Sequence, residues 1–255
     1  MPTNAAFRVG KSELKVSQII LGCMSFGDSN WQPWLLNKDE ALTVLKYAFG
    51  KGINTWDVAD TYSSGESERI LGATTSTITF PAPSWMDRDV PQKEIMKALN
   101  DVIESGKVRY GCASSMLQNV SHQNGWHKFI SMQGLYNLLY REEEREMNPY
   151  CNYTGVDRTD AREQKDPFLK LLFRGGDQNT DRAIVDRVEE LAQKKGVAMT
   201  QIAQSWLIAK GCMPICGMES EEKIDQAVGA LQVTLSDEEI KHLEELYVPK
   251  VPFPF

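Results

Sequence analysis

The feature of this sequence that most limits its fold is an alternation of short apolar runs with amphipathic helical segments. One run at residues 18–21 ends at Gly22, and a second at residues 53–57 ends at Asp57; each leads into a segment with helical periodicity. Such units recur at about 30 residues, the usual length of a strand joined to its neighbour by a crossover helix. Strands connected in this way are parallel. The alternation therefore predicts an α/β protein with a parallel sheet.

The alternation continues along the chain with two interruptions. Residues 74–83 fit neither a helix nor a strand, and residues 152–179 are predicted as a loop with one short helix. A hairpin is predicted at 7–16, and further strands at 107–113, 128–133 and 213–216. Helices are predicted at 38–49, 67–73, 91–105, 139–147, 180–195, 200–209 and 220–230, with a last one capped by Ser236. The 255 residues suit one eight-stranded barrel, but only about five core strands are visible.

Charge and composition disfavour several classes of partner. The formal net charge is −7 and the pI is near 5.2, which argues against nucleic acid because that affinity comes mainly from Lys and Arg. No apolar run approaches the roughly 18–20 residues that cross a bilayer, and the first residues lack a signal pattern. We therefore expect a cytoplasmic protein without a membrane partner. The five cysteines are expected to be reduced core thiols.

Polar residues stand where the predicted strands end. The carboxyl ends of parallel strands lie on one rim, where α/β proteins place their functional groups. Each residue also has a purely structural interpretation, as a turn cap, a loop aromatic or a partner for rim backbone, but their shared location favours a site. The strand ends carry Asp57 followed by Tyr62, Ser114 with Ser115, Gln133, and Gly217 with Met218.

Several longer stretches resemble one family. Residues 22–27, 52–62 and 65–72 are similar to the aldo-keto reductases, in the branch that includes fungal aryl-alcohol dehydrogenases and voltage-gated potassium channel β subunits. Residues 106–115, 133–141 and 214–217 agree with the same family. The resemblance covers most of the chain and implies a single (β/α)8 barrel domain over residues 1–255. It also implies transfer of hydride from NADPH to a carbonyl group, with no metal ion.

The resemblance assigns a role to each candidate residue. Tyr62 would be the general acid and Asp57 its supporting carboxylate. Ser114, Ser115 and Gln133 would hold the nicotinamide carboxamide. The remaining cofactor contacts would come from Met24, Gly217, Met218, Ser220, Lys223 and Gln226.

The sequence departs from the family in three places. The family's catalytic lysine and histidine end its third and fourth strands, but here Ser-Trp-Met-Asp at 84–87 replaces the family's His-Arg-Phe-Asp and neither residue is found. The seventh strand and its Ser-Pro-Leu-like loop are expected to be lost or replaced, since Asp157 to Asp160 follow instead. Acidic residues also surround Lys223, where they would weaken binding of a 2′-phosphate. We therefore expect an incomplete or modified barrel with impaired or altered catalysis.

Three functions follow from these observations. The first is an NADPH-dependent reductase of a carbonyl in an aryl or secondary-metabolite substrate. The second is a non-redox isomerase, dehydratase or cyclase that uses Tyr62 and Asp57 without nucleotide. The third is a non-catalytic binding protein. The expected partner is a small-molecule substrate, a homo-oligomer is a further alternative, and the candidates for apolar walls are Phe26, Trp31, Trp34 and Trp85.

Overall fold

A five-stranded parallel sheet forms the centre of the structure. The computed structural model describes residues 6–9, 14–72, 89–106, 115–154, 157–161 and 178–251. Before the sheet, β1 (Ala6–Arg8) and β2 (Lys15–Ser17) form the predicted antiparallel hairpin. The sheet strands are β3 (Ile20–Gly22), β4 (Trp56–Asp57), β5 (Ser131–Gly134), β6 (Asp157–Ala161) and β7 (Cys212–Gly217). Their spatial order is β4-β3-β7-β6-β5, and every neighbouring pair is parallel, as predicted.

Helices occupy most of the predicted positions. In α1, Asn37 Oδ1 accepts hydrogen bonds from the backbone of Asp39 and Glu40, and the Glu40 side chain accepts one from Asn37 N–H, which fixes where the helix begins. No helix in the described part of the chain is long and apolar enough to cross a membrane. The helices are α1 (Lys38–Gly50), α2 (Glu66–Gly72), α3 (Gln92–Glu104), α4 (Ser115–Asn124), α5 (Met147–Thr154), α6 (Gln178–Lys195), α7 (Met199–Ala209), α8 (Glu221–Ala230) and α9 (Asp237–Glu244).

Two predicted elements are wrong. The helix expected at 139–147 is absent: Asn137 and Tyr140 exchange two backbone hydrogen bonds in a tight turn, a 3-10 turn follows at Glu142–Glu144, and α5 begins only at Met147. The loop expected over 152–179 contains β6, because its backbone pairs with a strand on each side. The strand predicted at 107–113 and the interruption at 74–83 lie outside the described residues.

The apolar core lies on both faces of the sheet. On the outer face, Leu21 and Cys216 pack with α1 and α8, and Cys212 packs with α6 and α7. On the inner face, Ile20 and Ile215 pack with hairpin residues. This alternation follows the two-residue period of a strand, and it places the hairpin across one end of the sheet interior. The opposite end of the interior holds the candidate site.

Candidate active site

The inner face of the sheet ends in a row of residues on three neighbouring strands. Gly22 on β3 pairs with Asp57 on β4 and with Gly217 on β7. Residues in register point to the same face, as do residues two apart on a strand, so Asp57 shares the face of Ile20 and Ile215. A Cβ added at Gly217 would meet no described atom within 4 Å. The interior is therefore open beside Gly217, at the carboxyl end of the strands.

A hydrogen bond joins two predicted site residues from opposite edges of the described sheet. Gln133 Nε2 on β5 donates to Asp57 Oδ1 on β4 at 3.2 Å. In a flat sheet these strands would lie about 19 Å apart. An aspartate and a glutamine joined by one hydrogen bond span at most about 12 Å between their Cα atoms. The sheet must therefore curl until its two edges approach, as in a barrel.

The strand register gives the stagger of this curled sheet. Gln133 lies in a row that reaches Met213 on β7, whereas the row of Asp57 reaches Gly217, four residues further along. Since β5 and β4 are four strand-to-strand steps apart, the stagger is one residue per step. This is the stagger of an eight-stranded barrel with a shear of eight. Strand tilt thus brings Gln133 and Asp57 to the same height in the interior.

The charge of Asp57 lies near a buried thiol. Cys23 directly follows β3 and is fully buried. Burial, and to a smaller extent the negative charge of Asp57, raises the pKa of the Cys23 thiol well above its usual range. Cys23 is therefore neutral at physiological pH and adds no second negative charge beside Asp57.

Tyr62 opens a tight turn five residues after Asp57. The turn spans Tyr62–Gly65 and leads directly into α2, and the Tyr62 side chain is partly exposed. Ser63 and Ser64 have φ angles of 49° and 54°, in the left-handed region that residues other than glycine seldom occupy. The candidate acid is therefore followed immediately by strained backbone.

The residues predicted to contact the cofactor before α8 have different surroundings. Met24 is partly exposed in a 3-10 turn after β3, and the next residue, Ser25, has a buried hydroxyl with no hydrogen-bond partner among the described residues. Met218 is buried in the core beside α8. Ser115 is the first residue of α4 and its side chain is not described; Ser114 lies outside the described residues.

The residues expected at the adenosine end are engaged with their neighbours on α8. Ser220 caps the helix by accepting a hydrogen bond from Lys223 N–H at 3.3 Å. The Lys223 ammonium pairs with Glu219, and Gln226 Nε2 donates to Glu222 Oε1 at 3.3 Å. The helix amino terminus favours an anion, but the acidic side chains around Lys223 oppose one.

A polar cluster that the sequence did not predict joins the segment after β5 to α9. The Arg141 side chain is only 11% exposed. It donates two hydrogen bonds to the Glu144 carboxylate, of 3.0 and 2.8 Å, one of 3.3 Å to the Glu244 carboxylate and one of 3.2 Å to the Glu244 backbone carbonyl. Tyr136 O–H donates to Glu144 at 2.5 Å, and Trp206 Nε1 donates to Glu244 at 2.8 Å. The only sequence signal was the density of Glu and Arg at 139–147, which resembles an exposed helix.

A second buried carboxylate adjoins this cluster. Glu142 Oε1 accepts hydrogen bonds from Tyr247 O–H and from Lys250 N–H, both at 2.6 Å, and its other oxygen pairs with Arg145 at 2.7 Å. Burial, followed by the hydrogen bond to Glu142, raises the pKa of Tyr247. The residues after α9 are thereby fixed against the segment after β5.

A surface groove of about 420 Å³ lies beside Arg141 and α9, and no predicted site residue lines it. Three of its charged side chains are paired with neighbours: Arg141 with Glu144 and with Glu244, and Glu245 with Arg187 at 2.8 Å. The lining residues are Arg141, Asp237, Ile240, Lys241, Glu244 and Glu245.

Comparison with known proteins identifies the family. The Aldo/keto reductase family model matches residues 18–84 and 83–248, which together make up most of the chain. The chain belongs to the aldo/keto reductase family. Its Asp57 to Gly72 stretch and the strand ends that carry Gln133 and Gly217 fall within the matched residues. The membership makes an oxidoreductase the expected class of enzyme.

Two fungal relatives match the chain almost from end to end. The versiconal hemiacetal acetate reductase of Aspergillus parasiticus is 39% identical, over 97% of this chain and 98% of the relative. AAD16 of Saccharomyces cerevisiae, grouped by its name with the aryl-alcohol dehydrogenases, is 33% identical, over 95% of this chain and 97% of the relative. The first alignment runs over 336 positions, which exceed the 255 residues of this chain by 81. The chain therefore lacks internal segments that its relatives have.

A solved structure supports the barrel. The thermostable aldo-keto reductase Tm1743, crystallised with the inhibitor epalrestat, superposes with a TM-score of 0.77 over 95% of this chain and 99% of that chain, at 20% identity. The fold is thus that of a shortened aldo-keto reductase barrel. The division of the family match near residues 83 and 84 coincides with the irregular stretch noted in the sequence.

Proposed function

We propose that this protein is an NADPH-dependent reductase of a carbonyl group in an aryl or secondary-metabolite substrate. Membership of the aldo/keto reductase family supports the oxidoreductase class. The names of the fungal relatives, a hemiacetal acetate reductase and an aryl-alcohol dehydrogenase, support the substrate class. Both names describe oxygenated carbon centres on secondary metabolites or aromatic compounds.

The observation that carries the proposal is the hydrogen bond between Gln133 and Asp57. It brings two strand-end side chains, 76 residues apart in sequence, to one height at the open end of the barrel interior. Gly217 leaves space in that interior, and Tyr62 begins the turn that follows β4 at the same end of the strands. A carboxylate, an amide and a phenol around one opening can bind and protonate a carbonyl oxygen.

The residues at the nicotinamide end fit a dinucleotide. No described side chain beside Gly217 excludes a flat ring, and the buried Ser25 hydroxyl has no hydrogen-bond partner among the described residues, so a ligand could supply one. Gln133 would hold the carboxamide from the opposite side. At the adenosine end, the α8 amino terminus with Ser220 and Lys223 would face the phosphates. Since Lys223 already pairs with Glu219, we expect modest affinity for the 2′-phosphate.

Each side chain has a distinct part in the reaction. The cofactor, when bound, supplies a hydride to the carbonyl carbon. The Tyr62 hydroxyl donates the proton that the carbonyl oxygen then needs. Asp57 places a negative charge at the carboxyl end of the barrel interior, and Gln133 orients the Asp57 carboxylate through the 3.2 Å hydrogen bond. Cys23 stays neutral beneath Asp57 because burial raises the pKa of its thiol.

The family's catalytic lysine and histidine were not found in this sequence, and their loss lowers the expected rate of reduction. A free phenol has a pKa near 10, so proton transfer at neutral pH benefits from a neighbouring cation. A tuned acid contributes typically about 10²–10⁴-fold to the rate. We therefore expect reduction to be slower than in relatives that keep both residues, but by less than this full factor, because Tyr62 still donates a proton.

Nucleotide titration tests the proposal. NADPH and NADH are added to the protein while nicotinamide fluorescence is followed, and we expect NADPH binding in the micromolar range. In single-turnover assays with a panel of aromatic aldehydes, Tyr62→Phe should lower the rate by about 10²-fold or more without changing the NADPH Kd. Tyr153→Phe is the matched control, since Tyr153 is 92% exposed on α5.

The other outcomes separate the alternatives. Absence of NADPH and NADH binding up to millimolar concentration would remove the reductase. Turnover without nucleotide that Tyr62→Phe abolishes would then indicate a non-redox enzyme. A stable complex with a protein partner that survives Tyr62→Phe would indicate a binding protein.

A further inference from the structure

The turn after Tyr62 contains three consecutive residues in the left-handed region. The φ angles are 49° at Ser63, 54° at Ser64 and 86° at Gly65. Only the glycine adopts this conformation without cost, and each serine adds backbone strain. Strain of this kind persists only where the surroundings hold the backbone in place. The contacts of Ser63 and Ser64 therefore identify the residues that hold the turn in this conformation.

Ser63 has such contacts, on a different segment of the chain. Its residue is only 5% exposed, and its Oγ accepts a hydrogen bond from Asp28 N–H at 2.9 Å. A Cβ placed on Gly27 would lie 2.3 Å from Ser63 Cβ and 2.4 Å from its Oγ, so any side chain at position 27 would displace Ser63. Ser64, by contrast, is exposed. Ser63 alone of the two serines is thus locked against residues 27 and 28.

Gly27 and Asp28 belong to the loop at residues 26–36, which we call the tryptophan loop. Its base is closed by two hydrogen bonds of 2.9 Å, from Gly27 N–H to Leu36 O and from Leu36 N–H to Ser25 O. Its tip exposes Trp31 by 40% and Trp34 by 49%. The loop follows β3 as the Tyr62 turn follows β4, and these strands are neighbours. Both segments therefore emerge side by side at the carboxyl end of the barrel.

We propose that Ser63 is a positioning residue that couples the orientation of Tyr62 to the tryptophan loop. Tyr62 and Ser63 share a peptide plane, so fixing the Ser63 backbone limits the directions open to Tyr62. The bond from Asp28 N–H holds the Ser63 side chain and, through it, the Ser63 backbone; the absence of a side chain at Gly27 gives Ser63 the room it needs. The assignment rests on the proposed role of Tyr62 as the proton donor. Movement of the tryptophan loop would accordingly reorient the acid.

Hydrogen exchange tests the coupling without any assay of activity. In Ser63→Ala the Asp28 amide loses its acceptor, and we expect its exchange, followed by NMR, to be about tenfold faster. Amides of the turn at 62–66 should accelerate with it. Ser64→Ala removes a hydroxyl from the neighbouring residue of the same turn and should leave the exchange of Asp28 as in the wild type. Equal exchange in Ser63→Ala and wild type would overturn the coupling.

A second set of variants separates the hydroxyl from the packing. Ser63→Gly relieves the φ strain and so folds readily, but it removes the acceptor. In the double variant Gly27→Ala with Ser63→Gly, the alanine methyl group fills the space left by the Ser63 side chain, but the hydroxyl is absent. We expect both proteins to exchange Asp28 quickly. Slow exchange in the double variant would mean that packing alone holds the turn.

Kinetics then connect the coupling to Tyr62. In Ser63→Ala and Ser63→Gly we expect kcat for the aldehyde to fall by about 10–100-fold while the NADPH Kd stays within a factor of about two. A loss confined to KM, or an equal loss in Ser64→Ala, would contradict positioning of the acid. If the wild type itself reduces no aldehyde, the proposed function fails, and the exchange data still decide whether Ser63 joins the turn to the loop.

Discussion

Asp57 and Gln133 are the pair of side chains that join the two edges of the described sheet at the carboxyl ends of its strands. The register of the strands places both on the inner face, and the 3.2 Å hydrogen bond fixes their separation. A half-buried hydrogen bond to a charged group contributes about 1–3 kcal/mol. The bond therefore stabilises the barrel as well as orienting a candidate catalytic carboxylate.

A double-mutant cycle measures this contribution. We expect Gln133→Met and Asp57→Ala to be coupled by about 1 kcal/mol in the free energy of unfolding, determined in urea, because each removes the same bond. The matched pair is Gln133→Met with Asp60→Ala, since Asp60 is exposed three residues further along. That pair should be additive. Additivity in the first cycle would mean that the bond adds nothing to stability.

At the residue scale, the sequence located the strand-end groups but not their supports. Asp57 and Gln133 were predictable because parallel strands end on one rim and apolar runs mark their ends. Ser63 was not, because nothing in the letters indicates that a serine adopts a positive φ. The requirement for glycine at position 27 was not predictable either, because it arises from the packing of Ser63, which is 36 residues later in the chain. Met218 follows a strand end as predicted, yet it lies in the core.

Among the elements, helices with local start signals were predicted most accurately. Asn37 with Glu40, and Ser236 with Glu239, form capping boxes, in which the two residues lie three positions apart in the sequence. Elements fixed by distant partners were not predictable. β6 has a polar sequence and is a strand because its backbone pairs with two neighbouring strands. Residues 139–147 do not form a helix because a turn and the contacts of Arg141 hold them in another conformation.

The segment after β5 should show opposite pH behaviour at two adjacent glutamates. Burial alone would raise the pKa of Glu144, but hydrogen bonds from Arg141 and Tyr136 outweigh it, so the pKa is lowered on folding. Its stabilisation is therefore present above the unfolded pKa, about 4.3, and is lost as pH falls through the folded value. We expect Glu144→Gln to lose about 2 kcal/mol at neutral pH, with a smaller deficit below about pH 4.

Glu143 provides the matched control for that measurement. Burial, followed by the charge of Glu146, raises the pKa of Glu143 above its unfolded value. Its ionisation therefore costs stability at neutral pH, and the cost disappears below the unfolded pKa. Glu143→Gln should be neutral or stabilising at pH 7 in the same urea titrations. Equal losses in both variants would show that charge plays no part.

For the whole molecule, the repeated βα units predicted a parallel sheet, the resemblance to the family implied a barrel, and the described strands have the stagger of one. The approach of the two sheet edges could not be predicted from the sequence. The chain has 255 residues, 81 fewer than the 336 positions of its alignment with the Aspergillus parasiticus reductase. The contact between β4 and β5 arises from the curvature and tilt of five strands at once. No local pattern carries that information, because curvature accumulates over the sheet.

A closed molecule of this kind should shield its thiols. Cys23, Cys151, Cys212 and Cys216 are buried, and the pKa of Cys23 is raised by burial and by Asp57. In a Cys112→Ser variant, whose remaining cysteines are these four, we expect no rapid reaction with an aromatic disulfide reagent under native conditions. Full reaction should follow in denaturant. One rapidly reacting thiol per chain in the native state would contradict the closed packing.

The polar cluster at Arg141 and Glu142 has a consequence for synthesis on the ribosome. Glu142 receives its hydrogen bonds from Tyr247 and Lys250, which are 105 and 108 residues later in the chain. At translation rates of about 5–20 residues per second, these donors are made about 5–20 s after the carboxylate. Until then the nascent chain must leave Glu142 in water. The packing of this region is therefore completed only after Tyr247 and Lys250 have been synthesised and have left the ribosome, and the rest of the barrel must stay soluble until then.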